Sequence, residues 1–269
     1  MRRTLIGFAT AVVLVLAAIS PAFAVTNGVP DGNRHPYVGL LVFDDANGPA
    51  WRCTGSLLSP TVVLTAGHCT DGAVAARLWL DPVVQGNPEY PFGGETSYEG
   101  TPYTFPEYTQ PGNGLVGFSW GDVGVVVLSE PVPTSVVDTY AQLPEPNVVD
   151  SLSTGAGLEF VGYGVQFKAK VSGPPYDRWT GPKVRMYTYG EFLSGHGRTS
   201  DDQIKVTMNP GGGSGGTCFG DSGGPDLLAG TDTVIAVNSY VTNSNCAGVG
   251  YDTRIDLPER LAWIMSFMS

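Results

Sequence analysis

The chain has 269 residues, a formal net charge of −11, 14 % charged residues, 37 glycines and 21 prolines. This length suits one large β domain or two small ones, and the glycine and proline content is typical of short strands joined by tight turns. The acidic charge makes nucleic acid and anionic lipid unfavourable partners, because both are negatively charged.

Residues 1–24 have the three parts of a secretory signal peptide. Arg2 and Arg3 form a positive end, an apolar stretch follows, and a small-x-small cleavage site ends at Ala24. A retained membrane anchor is the alternative. Cleavage would start the mature chain at Val25, so we expect a secreted, extracellular protein that has left the membrane.

Apolar runs predict strands in the first half of the chain. These strands are predicted over Tyr37–Phe43, Trp51–Leu58, Val62–Ala66, Ala75–Leu80, Pro102–Phe105, Leu115–Phe118 and Val123–Leu128. A hairpin turn over residues 44–49 joins the first two. His35, just before the first strand, is interpreted as structural rather than catalytic.

Two prolines make residues 141–147 the predicted linker between a first half, about 25–140, and a second half, about 148–255. Further strands are predicted over Leu158–Val161, Val184–Tyr189, Ile204–Met208 and Thr233–Tyr240. The glycine-rich segment 210–216 is interpreted as a mobile surface loop. A C-terminal helix is predicted over about 256–268, with Asp256 as its N-cap and a proline in its first turn.

Ser222 lies among glycines in the segment Thr217–Pro225, with an aspartate directly before it. A serine oxygen becomes a nucleophile only when a base takes its proton and donors hold the oxyanion that forms. Glycines let the backbone turn sharply and bring N–H groups close to a substrate carbonyl. A glycine-rich surface turn is the alternative for this segment alone.

His68 supplies the kind of base that such a serine needs. It ends the segment Thr65-Ala-Gly-His-Cys69, directly after an apolar run, and is one of three histidines in the chain. This TAGHC segment and the later GDSGGP segment resemble the paired signatures of the trypsin/chymotrypsin-like serine proteases, in the same order along the chain. The commoner form of the first signature is TAAHC.

The resemblance covers residues 25–269 and implies an all-β fold. Members have two packed six-stranded antiparallel β-barrels and a C-terminal α-helix, with the active site in the cleft between the barrels. The segment that Asp122 opens resembles the family's Asp-Ile-Ala-Leu-Leu strand, which carries the third member of the catalytic triad. A turn aspartate is the alternative for Asp122.

The roles of the triad are those of the family. Ser222 would be the nucleophile, His68 the general base, and Asp122 the residue that orients the histidine. The backbone N–H groups of Gly220 and Ser222 would form the oxyanion hole. The expected partners are therefore polypeptide substrates and protein protease inhibitors. The protein itself is expected to be a monomer.

The new N-terminus at Val25 resembles the start of active family members. There the freed α-amino group pairs with the aspartate before the nucleophile, which is Asp221 here. A buried carboxylate needs a cation, and this one exists only after cleavage. We therefore expect signal peptide removal to complete activation. An ordinary frayed terminus is the alternative.

Four cysteines in an exported chain predict two disulfides, for which three connectivities are possible. Cys53–Cys69 and Cys218–Cys246 are favoured because each closes a short loop within one half, and family members carry the same two bridges. No CxxC pair occurs and the histidines lack ligand spacing, so no metal or other cofactor is expected.

The resemblance places Gly216 at the base of the primary substrate pocket, where a preference for arginine or lysine would need a carboxylate. Val241 would narrow the pocket, so a small or medium apolar side chain is expected before the cleaved bond. The other residues assigned to this pocket are Thr217, Ser239, Tyr240 and Gly250. Asp252 could still attract a cation, although a solvated turn is its alternative. Asp226 replaces the family's usual apolar residue without explanation.

Two other functions compete with a peptidase. The Gly-x-Ser-x-Gly pattern also occurs in α/β-hydrolases, but those need a histidine after the serine, and none follows Ser222. A catalytically inactive homologue that acts as a binding protein remains the alternative, although all three triad residues are present.

Overall fold

The computed structural model describes residues 25, 28–110, 119–170, 177–196, 201–208, 215–241 and 246–268. The predicted signal peptide, the predicted strand 115–118 and most of the predicted loop 210–216 lie outside the described residues. Among the described helices, none has the length and apolar character needed to cross a membrane.

The first half forms a closed barrel of six antiparallel strands. The strands are β2 (Val38–Asp45), β3 (Gly48–Leu57), β4 (Val62–Thr65), β5 (Ala75–Trp79), β6 (Tyr98–Thr104) and β7 (Gly124–Leu128). They close in the order β2-β3-β4-β7-β6-β5. A single helical turn, α1 (Gly67–Thr70), follows β4. Because β4 and β7 are neighbours, their ends bring α1 next to the residues that precede β7.

The second half forms another closed barrel of six strands. Its strands are β8 (Gly157–Gly162), β11 (Met186–Ser194), β12 (Gln203–Met208), β13 (Pro225–Leu228), β14 (Val234–Val241) and β15 (Gly248–Arg254). The ring runs β8-β11-β12-β15-β14-β13 and returns to β8. A hairpin of β9 (Phe167–Lys170) and β10 (Asp177–Thr180) lies between β8 and β11 in the chain. The two barrels and the C-terminal helix confirm the predicted fold class.

The N-terminal strand β1 (Val29–Pro30) pairs with β11 of the second barrel, although it lies in the range predicted for the first. The physical reason is the fully buried Arg185, which directly precedes β11. Its Nε donates to Asp31 Oδ2 at 2.8 Å and its Nη2 to Asn33 Oδ1 at 2.7 Å. The segment after β1 is therefore held beside the second barrel by a buried charge.

The C-terminal helix α2 spans Pro258–Met265, and its N-cap is Leu257 rather than the predicted Asp256. The Asp256 carboxylate is used elsewhere: Arg254 Nε donates to it at 2.9 Å, and so does the Val149 N–H. A buried guanidinium is a stronger partner for this carboxylate than a helix N–H group. Helical spacing predicts an apolar face of Leu261, Ile264, Met265 and Met268. The helix buries Leu261 and Ile264, whereas Met265 and Met268 are exposed.

Candidate active site

A double contact in the candidate site joins His68 on α1 to Asp122, which precedes β7. Asp122 Oδ1 accepts the backbone N–H of His68 at 2.6 Å, and Asp122 Oδ2 contacts the ring Nδ1 at 2.8 Å. The double contact fixes both the position and the orientation of the imidazole. It leaves Nε2 without a hydrogen-bond partner in the described part of the chain.

Electrostatics reinforce this pair. Burial disfavours the imidazolium, but the charge and hydrogen bond of Asp122 outweigh it and raise the pKa of His68. Burial also opposes ionisation of Asp122, but His68 and a hydrogen bond from the Ser239 hydroxyl keep the pKa of Asp122 lowered. Asp122 therefore stays ionised and stabilises a positively charged imidazole.

Ser222 belongs to a loop of the second barrel that the first barrel holds in place. The Thr54 N–H on β3 donates to the Ser222 carbonyl at 2.8 Å, and Thr54 Oγ1 donates to the Gly220 carbonyl at 2.9 Å. Gly223 has φ +76°, and a side chain there would meet the Thr54 carbonyl at 2.6 Å. Only glycine fits this close approach of the two barrels.

The loop also presents two unused donors. Neither the Gly220 N–H nor the Ser222 N–H has an acceptor among the described residues. Gly220 has φ +97° and its Cα lies close to Gly164, where a side chain would meet the Gly164 Cα at 3.2 Å. Free N–H groups beside a nucleophile are what an oxyanion requires.

A cavity of about 230 Å³ lies beside His68 and Ser222 and is lined by both. No direct hydrogen bond joins these two described side chains. The other lining residues are Cys218, Phe219, Asn238, Ser239, Tyr240 and Val241. The predicted pocket residues Ser239, Tyr240 and Val241 are therefore together.

The other predicted pocket residues, Gly216, Thr217 and Gly250, do not line this cavity. The buried Met208 side chain lies between the two glycines, because a Cβ on Gly216 would meet Met208 Cβ at 2.7 Å and one on Gly250 would meet Met208 Sδ at 2.7 Å. Met208, on β12, fills space that the motif comparison assigned to the pocket.

Sequence reasoning missed Cys218, Phe219 and Asn238 as lining residues. Two of them belong to the Thr217–Pro225 segment, and their position beside Ser222 was the available signal. Phe219 is 49 % exposed, an unusual exposure for so large an apolar side chain. Asn238 directly precedes Ser239 on β14, but nothing in its local sequence distinguishes it.

Asp221 is fully buried and lacks an ion-pair partner among the described residues. The N–H groups of Gly164 and Cys218 donate to its two oxygens at 2.7 Å and 2.9 Å. Burial outweighs these bonds and raises the pKa of Asp221 to about 7. Val25 is buried in an apolar cluster that also contains Phe160 of β8. Two residues further along β8, the Asp221 carboxylate packs against Gly162.

Both predicted disulfides are confirmed. Cys53 is bonded to Cys69 and Cys218 to Cys246. The sulfur atoms of Cys53 and Cys69 lie close to His68, but sulfur in a disulfide is not a thiolate ligand for a metal. Each bridge fixes one side of the candidate site, the first beside the histidine and the second beside the nucleophile loop.

Comparison with known proteins decides the family. The family model described as Trypsin matches residues 26–264. The chain belongs to the trypsin family. Brachyurin of Leptuca pugilator is 26 % identical over 87 % of this chain and 93 % of its own length, and Serine protease 1 of Drosophila melanogaster is 26 % identical over 82 % and 77 %.

Solved structures show the same fold. One titled HL collagenase superposes with a TM-score of 0.69 at 21 % identity and covers 90 % of this chain and 98 % of that one. A mutant of human heparin binding protein superposes with a TM-score of 0.63 at 17 % identity, over 90 % and 96 %. The fold thus occurs in a collagenase and in a heparin-binding protein, and the fold alone does not decide between catalysis and binding.

Proposed function

We propose that this chain is a secreted serine endopeptidase that hydrolyses peptide bonds of polypeptides through Ser222, His68 and Asp122. The observation that carries the proposal is the double contact of Asp122 with His68, beside a cavity that Ser222 also lines. Membership of the trypsin family supports it.

In the proposed reaction, Ser222 Oγ attacks the substrate carbonyl carbon and His68 Nε2 takes the serine proton. The N–H groups of Gly220 and Ser222 bind the developing oxyanion. His68 then gives its proton to the amine, the bond to the amine breaks, and the acyl group remains as an ester on Ser222. Water, activated by His68, hydrolyses this ester, and Asp122 stabilises the imidazolium in both halves of the reaction.

The proposed pocket is neutral and takes a small or medium apolar side chain before the cleaved bond. No residue that lines the described cavity carries a carboxylate, and Tyr240 and Val241 contribute apolar surface. A panel of peptide substrates tests this specificity. Strong cleavage after arginine would contradict a neutral pocket.

The proposed activation step pairs the Val25 α-amino group, freed by signal peptide removal, with Asp221. The support is a buried carboxylate with no ion-pair partner among the described residues and a pKa raised to about 7. N-terminal sequencing of the secreted, active protein tests the step. A start at any residue other than Val25 would contradict it.

The decisive experiment is labelling of the secreted protein with a fluorophosphonate that reacts with activated serines. We expect labelling and proteolysis in the wild type, and a loss of about 10⁶-fold in kcat in Ser222→Ala. Ser129→Ala, at an exposed serine directly after β7, is the matched control. Undiminished proteolysis in Ser222→Ala would reject the assignment, and a wild type that is folded but never labelled would favour the binding protein.

A further inference from the structure

Two fully buried aspartates flank strand β14. Asp226 lies on β13 and Asp252 on β15, and neither has any exposed surface. Because β14 pairs with both strands, it lies between their backbones, and the two side chains come close enough for each carboxyl group to affect the ionisation of the other. Buried carboxyl groups without a cation are rare, so this pair requires an explanation.

The close approach of these two buried carboxyl groups requires a proton. The Ser239 N–H donates to Asp252 Oδ1 at 3.1 Å, and the remaining three carboxyl oxygens have no donor among the described residues. Ionised carboxylates only accept hydrogen bonds, so a bond between two of them exists only when one carries a proton. Two adjacent buried anions would also repel each other strongly.

A chain of hydrogen bonds connects this pair to the candidate triad. Asp252 holds the Ser239 backbone N–H, and the Ser239 hydroxyl donates to Asp122 Oδ2. The same Asp122 oxygen contacts His68 Nδ1 at 2.8 Å. Ser239 is therefore held at its backbone by one carboxyl group and at its side chain by another.

We propose that Asp226 and Asp252 are positioning residues that share one proton and hold Ser239 where its hydroxyl bonds Asp122. The inference rests on the proposed function of the triad. Asp226 does not touch the reacting atoms: it supplies the hydrogen bond that keeps Asp252 in place. This role accounts for an acidic residue at a position where an apolar residue was expected.

The surroundings of the pair favour retention of the proton at neutral pH. Burial is the main cause that raises the pKa of Asp226, and the neighbouring carboxyl group raises it further. Burial also raises the pKa of Asp252. Asp122 is the other described titratable group that acts on Asp252, and its negative charge also favours the protonated form. Loss of the proton at alkaline pH would leave two adjacent anions, which would separate and release Ser239.

The kinetic test compares Asp226→Leu with Asp226→Asn. Leucine offers no hydrogen bond, so we expect kcat to fall by up to roughly tenfold, the loss expected when the Ser239 hydroxyl no longer bonds Asp122, with a smaller change in KM. The asparagine amide donates to Asp252 without a shared proton, so it should rescue kcat and remove the alkaline loss of activity that the pair causes. Asp138→Asn, at an exposed position, controls for the loss of one negative charge.

A spectroscopic test shows, independently of activity, whether the Asp226–Asp252 pair carries a proton. The infrared spectrum of the wild type at neutral pH should contain the carbonyl stretch of a protonated, buried carboxylic acid that Asp226→Asn lacks. Asp221 contributes equally to both proteins and cancels in the difference spectrum. Because this measurement also works on inactive protein, failure of the inference and failure of the proposed function are distinguishable. The inference would be overturned by a wild-type kcat in Asp226→Leu, or by identical carbonyl spectra in the wild type and Asp226→Asn. If Asp226→Leu does not fold, the kinetics of Asp226→Asn and the two spectra decide.

Discussion

Two histidine–aspartate pairs in this molecule have almost the same local geometry but different surroundings. Asp122 contacts the backbone N–H and the Nδ1 of His68 at 2.6 Å and 2.8 Å. Asp31 contacts the backbone N–H and the Nδ1 of His35 at 3.1 Å and 2.6 Å. The short contact therefore does not by itself identify a catalytic histidine.

The second ring nitrogen and the second partner of the aspartate distinguish the two pairs. His35 Nε2 lies 3.5 Å from Glu159 Oε1, and Asp31 also binds the buried Arg185 guanidinium. His68 instead lines the cavity beside Ser222, and its side chain is 23 % exposed. The His35 pair is closed and charge-balanced, which suits stability, whereas the His68 pair has a ring nitrogen without a hydrogen-bond partner beside the cavity in the described part of the chain.

The largest expected effect separates the two histidines by activity. His68→Ala should lower kcat by about 10⁶-fold with little change in stability, because it removes the proposed general base. His35→Ala should leave the activity per folded molecule unchanged and lower the free energy of unfolding by roughly 1–3 kcal/mol, because it leaves buried polar groups without a partner. Single-turnover kinetics and urea unfolding measure both, and equal kinetic losses in the two variants would remove the distinction.

The aspartates provide the next largest effect. Asp122→Asn should keep the fold and lower kcat by about 10⁴-fold, because an amide holds the wrong tautomer of the histidine. Asp31→Asn should lower the free energy of unfolding by roughly 3–5 kcal/mol, because it leaves the Arg185 guanidinium buried without its anion. Thermal and urea unfolding of both variants check this contrast, which fails if Asp31→Asn is as stable as the wild type.

Acid should lower the free energy of unfolding by protonating Asp31. Burial alone would raise the pKa of Asp31, but the His35 hydrogen bond and the Arg185 charge outweigh it and lower the pKa from 3.8 to about 2. Because the folded-state pKa is the lower one, this stability is present above pH 3.8 and is lost as the pH falls towards 2. The loss should be about 2 kcal/mol.

Urea unfolding of Ser222→Ala, which cannot digest itself, measures this acid dependence. The double variant Ser222→Ala/Asp31→Asn is the control and should lack the step between about pH 4 and pH 2. An identical pH dependence in the two proteins would show that other carboxyl groups cause the acid loss.

The smallest expected effect tests the extra hydrogen bond that only Asp122 receives. Ser239→Ala removes the hydroxyl that donates to Asp122, so kcat should fall by roughly tenfold, the value of one hydrogen bond to a charged group. The pH at which activity rises should also move, because Asp122 becomes a stronger base and holds the imidazolium more tightly. An unchanged kcat and pH profile would assign the Ser239 hydroxyl a purely structural role.

Much of this molecule follows from local patterns in the sequence. Each predicted strand within the described residues overlaps an observed one. The continuous apolar run Val123–Leu128 is a clear case, because almost all of its residues are buried. The motifs also directed attention to His68, Asp122 and Ser222, which the structure brings to one region.

Other features depend on contacts that local patterns do not encode. Strand β15 carries two glycines and an aspartate and lacks an apolar run, so it forms because β12 and β14 pair with it on either side. Asp256 is a good N-cap by sequence, but Arg254 takes its carboxylate. The filling of the expected pocket base by Met208 likewise arises from a residue distant in sequence from Gly216 and Gly250.

The Thr54 contacts have a consequence for the life of a newly made molecule. Thr54 of one barrel holds the carbonyl groups of Ser222 and Gly220 in the other, so neither half alone can shape this loop. The proposed peptide cleavage would therefore begin only after the halves have docked. Under the proposed function, a molecule that is still folding could be cleaved by others but could not itself cleave, which would limit self-digestion while the chains fold.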